Sequence, residues 1–185
     1  MTRANSPGDG NGPVALSADL LLLKEHLTSA HKVAARLAWS VARVGSLMPL
    51  DAARVDRLGE EDIERLDAFL YRFNSLTGMI QDHVGRALLR AEEEDLSERS
   101  RKDQRQLLEK LGALKPQLGF ATIAELRNRL AHLYPDDSTK QSEILNQAYA
   151  RSSDLLQIHD DVLGYADQKF FASKLDLAAA TSPAP

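Results

Sequence analysis

Residues 17–49, SADLLLLKEHLTSAHKVAARLAWSVARVGSLMP, decide the fold class. Apolar side chains recur there at Leu20, Leu23, Leu27, Ala30, Ala34, Leu37, Val41, Val44 and Met48, in alternating steps of three and four. An α-helix advances about 3.6 residues per turn, so this spacing lays one apolar stripe along a single long amphipathic helix. Ser17 carries the hydroxyl of an N-cap. Pro49 closes the run, because its ring disfavours helical geometry in the residue before it.

Residues 49–60 read as a connection with room for one helical turn. A second stripe follows at Leu66, Phe69, Leu70, Phe73, Leu76, Ile80, Val84 and Leu88, and breaks up in the acidic run 92–95, EEED. Gly78 and Gly85 inside it each cost about 1 kcal/mol against alanine and suggest a close helix crossing. Leu107, Leu108, Leu111 and Leu114 predict a shorter helix ended near Pro116. Thr122 to Glu125, TIAE, has the form of a capping box and predicts the start of a fourth helix; Ser138 to Gln141 predicts the start of a last one, running through Ile144, Leu145, Ala148, Ser152, Leu155, Val162 and Ala166. No strand pattern competes. The expected fold is all-α, an up-and-down bundle of about five helices over residues 16–175. Residues 1–15 and 176–185, rich in Gly, Pro and small polar side chains, are expected to be disordered tails.

A chain of 185 residues can bury a core without disulfides or a structural metal. The absence of cysteine excludes disulfides, thiolate zinc sites, iron–sulfur clusters and cysteine nucleophiles, and suits the cytoplasm as the expected compartment. The run Leu20 to Leu23 is broken by Lys24 and has no basic lead-in, so neither a signal peptide nor a membrane span is expected. A net charge of −4 argues against a general nucleic-acid coat. Charge is nonetheless uneven: the acidic run 92–95 is followed closely by RSRKDQRQLLEK, residues 99–110, which reads as a solvated helix turn.

The chemistry-bearing stretch is RNRLAHLYP, Arg127 to Pro135. On a helix, Ile123, Leu126, Leu130 and Leu133 share the buried face. Arg127 and Tyr134, seven apart, lie on one flank; Asn128 and His132, four apart, lie on the other. Arg127 and His132 are separated by about 140° around the axis. One helix therefore cannot converge both on a small target, whereas two copies across a two-fold axis would surround one groove with two arginines and two histidines. With 15 arginines and 5 histidines among 185 residues, chance puts about 0.4 Arg-x4-His pairs in such a chain. A tyrosine two residues further on makes the pattern far rarer, about one chain in a hundred.

RNRLAH followed by LY resembles the R-x4-H-x-Y signature of the HEPN superfamily, all-α bundles that carry an Arg-Asn-x-x-x-His motif on a late helix. The resemblance implies a symmetric homodimer and, in the toxin branch, a metal-independent endoribonuclease paired with a minimal nucleotidyltransferase (MNT) antitoxin. It implies Arg127 and His132 as the catalytic pair, Asn128 as the supporting polar residue, and Tyr134 as the residue adenylylated by the antitoxin. Neither a metal nor a cofactor is implied. RNA needs no metal for cleavage when a base takes the proton of the 2′-hydroxyl and an acid protonates the leaving 5′-oxygen. Histidine titrates in the range for both roles, and a guanidinium fork neutralises charge growing on the phosphate.

Two other readings stand beside this one. A HEPN subunit without nuclease activity would use the same motif to hold a nucleotide or substrate for its partner enzyme. A plain helical adaptor would carry Arg127 and His132 only because cations near a helix C-terminus complement its dipole. Elsewhere, His26 and His31 read as surface or packing residues, His159-Asp160-Asp161 as a solvated face, and Trp39 as packing. Arg72 and Asn74 on the second helix lie within reach of the proposed groove.

Overall fold

The computed structural model describes residues 16–130, 137–172, 175 and 177. Among the described residues seven α-helices follow in order: α1 (Ala18–Val44), α2 (Ala52–Val55), α3 (Glu60–Gly78), α4 (Gly85–Ala91), α5 (Arg101–Leu111), α6 (Phe120–Leu130) and α7 (Ser138–Phe170). A π-helical turn, Met79–Val84, joins α3 to α4 without a break, so the two form one rod. With the single turn of α2 set aside, five rods make an all-α bundle, and the described residues contain no strand.

The apolar stripes do what their spacing requires. Leu23, Leu27, Ala30, Ala34, Leu37 and Val44 of α1 are buried, as are Leu66, Phe69, Phe73, Leu76, Ile80, Val84 and Leu88 of the second rod. They meet each other and the inner face of α7, where Ala148, Leu155, Ile158, Val162 and Ala166 are buried. Phe69 and Phe73, both 0% exposed, stand at the centre, and Phe69 meets the Tyr149 ring edge-on at 6.5 Å between centroids.

The helix ends are set by local chemistry. Ser17 caps α1, accepting from the Leu20 amide at 3.3 Å. Asp51 caps α2, and the connection around it is tied down by Asn146 of α7: its carboxamide oxygen accepts from the Leu50 amide at 2.8 Å and its amino group donates to the Leu50 carbonyl at 2.7 Å. Ser100 and Asp103 form a reciprocal capping box that opens α5. Gly112, at φ +82°, closes α5 in a left-handed conformation that a side chain would strain.

Two starts differ from the expectation. Helix α6 begins at Phe120, not at Thr122. Gly119, at φ +62°, turns the chain out of a short 3-10 segment, Pro116–Leu118, and the buried Phe120 ring draws the helix start toward the core. For α7, Asp137 rather than Ser138 is the cap: its carboxylate accepts from the Lys140 amide at 2.9 Å. An acidic cap also complements the positive end of the helix dipole. At the far end, Leu177 is buried and the Leu175 amide donates to Asp167 at 2.9 Å.

The basic stretch 99–110 forms a largely exposed face of α5, with Lys102 and Lys110 open to solvent, and a few of its charges and those of the acidic run are paired. Glu92 accepts from both Tyr165 and Lys169 of α7, each at 2.6 Å. Arg99 pairs with Glu94 at 3.2 Å, and Arg101 with Asp82 at 3.0 Å.

His159 lies inward, 4% exposed, and not on a solvated face. The α7 stripe passes through Leu155, Ile158 and Val162, and the neighbouring position 159 shares the inner surface with them. Its Nδ1 lies 2.8 Å from the Asp160 carboxylate, and its ring stacks on that of His31 at 5.5 Å between centroids. Burial holds the imidazole below its ordinary value; Asp160 pulls it up and His31 adds to the lowering. The unfolded chain therefore takes up this proton near pH 6.5, and the folded chain only at lower pH. Between those two points the unfolded state binds more protons, so stability falls as pH falls. The melting temperature is expected to drop between pH 7 and 5, and less steeply in His159→Gln. Equal slopes in the two proteins would show that other groups govern the acid limb.

Candidate functional site

The motif helix α6 packs on α3 and α7 with Ile123, Leu126 and Leu130 inward. That seating turns Arg127 sideways, toward the junction of α3 and the π-helical turn. Its guanidinium lies against Gly78: a Cβ built there would be 3.1 Å from the nearest nitrogen. The missing side chain at Gly78 thus makes room for Arg127, and the close approach expected of this glycine is to an arginine head group. Asp82 on the π-helical turn pairs with Arg127 at 3.6 Å and with Arg101 at 3.0 Å, so one carboxylate orients two guanidiniums.

Arg127 forms one end of a groove of about 1280 Å³ between α1 and the second rod. Four cations line it, Lys32, Arg36, Arg72 and Arg127, against two carboxylates, Asp67 and Asp82. The acidic chain thus turns a locally basic cleft outward. Burial, then the neighbouring Arg36 and Arg43, holds the Arg72 guanidinium below its ordinary value. Such mutual repulsion is what an anion would relieve.

The groove is also aromatic. Trp39 is 55% exposed and Tyr71 is 74% exposed. Trp39 was expected to pack and does not: its position lies next to Ser40 on the outer flank of α1, and its ring carries the guanidiniums of Arg43 at 4.7 Å and Arg72 at 5.1 Å instead of core atoms. Arg72 donates to the Ser40 hydroxyl, which fixes the arginine across the two helices. At the Arg127 end, His83 lines the groove and its ring lies 5.3 Å from that of His26. Burial, then His83, lowers the His26 imidazole, while Glu25 raises it. Arg72 and Asn74, which the sequence placed within reach, both line the cleft.

The two described motif residues lie on different surfaces. Asn128 is exposed on the other side of α6, beside a shallow depression of about 500 Å³ with Arg129, Lys140 and Glu143. Arg129 there donates to the Gln147 side chain at 3.0 Å. Within one chain, Arg127 and Asn128 do not share a cavity, as the helical angles require. His132 and Tyr134 lie outside the described residues.

Asp82, His83, Lys32 and Arg36 were not singled out from the sequence. The available signal was a second stripe beside the apolar one: Lys32, Arg36, Trp39 and Arg43 follow steps of four, three and four, which place them on one flank of α1. Comparison with family models, curated protein sequences and solved structures gives no match for this chain. No helix among the described residues is long and apolar enough to cross a membrane.

Proposed function

We propose that the protein is an endoribonuclease toxin of the HEPN type, acting as a symmetric homodimer without a catalytic metal. In this reading Arg127 binds the scissile phosphate. One protomer's His132 takes the proton of the 2′-hydroxyl, and the other's protonates the 5′-oxygen as the bond to phosphorus breaks. The products are a 2′,3′-cyclic phosphate and a free 5′-hydroxyl. Asn128 supports an imidazole or a phosphate oxygen, and the partner nucleotidyltransferase silences the enzyme by adenylylating Tyr134. The added phosphodiester would bring negative charge to the flank that Arg127 occupies, repelling substrate phosphate.

The observation that carries the reading is the position of Arg127. Although it belongs to the last turn of α6, its guanidinium is turned into a basic cleft that Trp39 and Tyr71 also line, where Gly78 leaves it space and Asp82 orients it. The ion pair with Asp82 also suits the non-catalytic HEPN subunit, in which the same cleft holds a nucleotide or substrate without cutting.

The test is purified protein on RNA in the presence of a chelator, then with the nucleotidyltransferase and ATP added. Cleavage to cyclic-phosphate ends is expected under chelation, with loss of activity as mass spectrometry finds AMP on Tyr134. A requirement for divalent metal overturns the mechanism. Nucleotide binding without cleavage selects the binding subunit, and AMP on Tyr71, Tyr149 or Tyr165 instead removes the proposed switch.

A further inference from the structure

We propose that the end of the groove around Trp39 is a subsite for an unpaired base of single-stranded RNA, with Trp39 as its stacking face and Arg36, Arg43 and Arg72 as contacts for the flanking phosphates. The inference rests on reading the cleft as an RNA site, and it names the form of RNA that the cleft takes.

Four observations lead there. An indole left 55% exposed is available to a ligand and contributes little to the core. Two guanidiniums already lie over its ring, at 4.7 and 5.1 Å. A cation over an exposed aromatic ring is worth about 0.5–1 kcal/mol, whereas a base stacked on an aromatic side chain is worth about 1–3 kcal/mol. A base therefore displaces one guanidinium, which then turns to a phosphate. Arg72 stays anchored through Ser40, and Asp67 is the carboxylate lining this end.

The groove is also continuous between this end and the motif. Ser40 meets Arg72, and His26 meets His83, so α1 and the second rod run antiparallel along its length. Tyr71 and Asp82 are eleven residues apart, about 16 Å along a helix, enough for a strand of a few nucleotides to run from the Trp39 end to Arg127. Single-stranded RNA fits better than duplex, because pairing and stacking in a duplex hide the base faces that Trp39 would contact. It also fits better than a second copy of this chain. A symmetric contact through Trp39 would bring Arg36, Arg43 and Arg72 against their own equivalents, and like charges would oppose it.

Trp39 is the only tryptophan beside four tyrosines, so indole fluorescence under tryptophan-selective excitation reports on this subsite alone. The full-length protein is titrated with a short single-stranded oligoribonucleotide bearing 2′-O-methyl groups, which lacks the nucleophile for cleavage. Saturable quenching is expected, weakened by salt, with less quenching by the same sequence as a duplex. Trp39→Ala should raise the Kd about ten- to a hundredfold by fluorescence anisotropy of labelled RNA, and Trp39→Phe should restore most of the affinity. For cleavable RNA, Trp39→Ala should raise KM and leave kcat near the wild-type value. Binding without quenching, undiminished affinity in Trp39→Ala, or emission that depends on protein concentration alone would each overturn the subsite. Quenching without cleavage of ordinary RNA would keep the subsite and remove the nuclease; cleavage without quenching would do the reverse.

Discussion

Arg127→Ala and His132→Ala are each expected to cut the rate of RNA cleavage by about 10²–10⁴-fold, the loss that follows removal of an acid–base group or a preorganised charge donor. The fold should survive both. Arg127 is 31% exposed, and its ion pair with Asp82 spans 3.6 Å at a partly open site, an arrangement worth about 0–1 kcal/mol. His132 lies outside the described residues; if the helical spacing read from the sequence continues to it, five residues from Arg127 keep it off the apolar stripe of Ile123, Leu126 and Leu130. Arg127→Lys should recover only part of the rate, since an ammonium keeps the charge and loses the fork. Cleavage of labelled RNA and circular-dichroism melts, run on the same preparations, decide the matter. Wild-type rates in either alanine variant would remove that residue from the mechanism, and early melting would make it structural.

Gly85→Ala and Gly78→Ala should move stability in opposite directions although both sit in one rod. A Cβ at Gly85 would lie 2.8 Å from the Ile80 carbonyl oxygen and 3.0 Å from a Leu108 methyl. Backbone and packed core must then give way, at about 1–3 kcal/mol, which exceeds the roughly 1 kcal/mol that alanine's helix propensity returns. At Gly78 the obstacle is the mobile end of Arg127, 3.1 Å away, which can swing aside. Alanine there should therefore leave the melting temperature unchanged or raise it, while displacing the guanidinium and slowing cleavage. Thermal melts of the two variants beside cleavage rates test both halves. A stable Gly85→Ala would show that the π-helical turn relaxes freely, and full activity in Gly78→Ala would show that Arg127 need not rest against that glycine.

The long elements were legible because burial imposes a period. Leu23 to Val44 and Leu66 to Leu88 each carry an uninterrupted stripe, and a stripe is a local property of sequence. The starts of α6 and α7 were not, because Thr122 and Ser138 satisfy the capping pattern while Gly119 and Asp137 make the turns. A left-handed glycine followed by a ring that must reach the core outweighs a hydroxyl in the right spacing. His159 was misread for a related reason: on a helix of 33 residues with neighbours on several sides, the buried surface is wider than one stripe. At the site, Arg127, Asn128, His132 and Tyr134 stood out as a motif, yet the groove did not. Its residues come from α1, the second rod and α6, and only tertiary packing brings Lys32, Arg72 and Arg127 together.

The π-helical turn Met79–Val84 also determines where the second rod can tolerate a change of length. A π-helical turn bonds i to i+5 and so holds about one residue more than an α-helical turn, which lets it take up one extra residue while the helix on either side keeps its packing. Here Phe73 and Leu76 on one side and Leu88 on the other retain their buried positions, so the surplus is absorbed within the turn that carries Asp82 and His83. Asp82 and His83 thus project from the one turn of the rod whose residue count can change by one while the packed faces on either side stay in place. Removing one residue from that turn would restore α-helical spacing and re-aim or delete the arginine-orienting carboxylate, at little cost to the packing on either side.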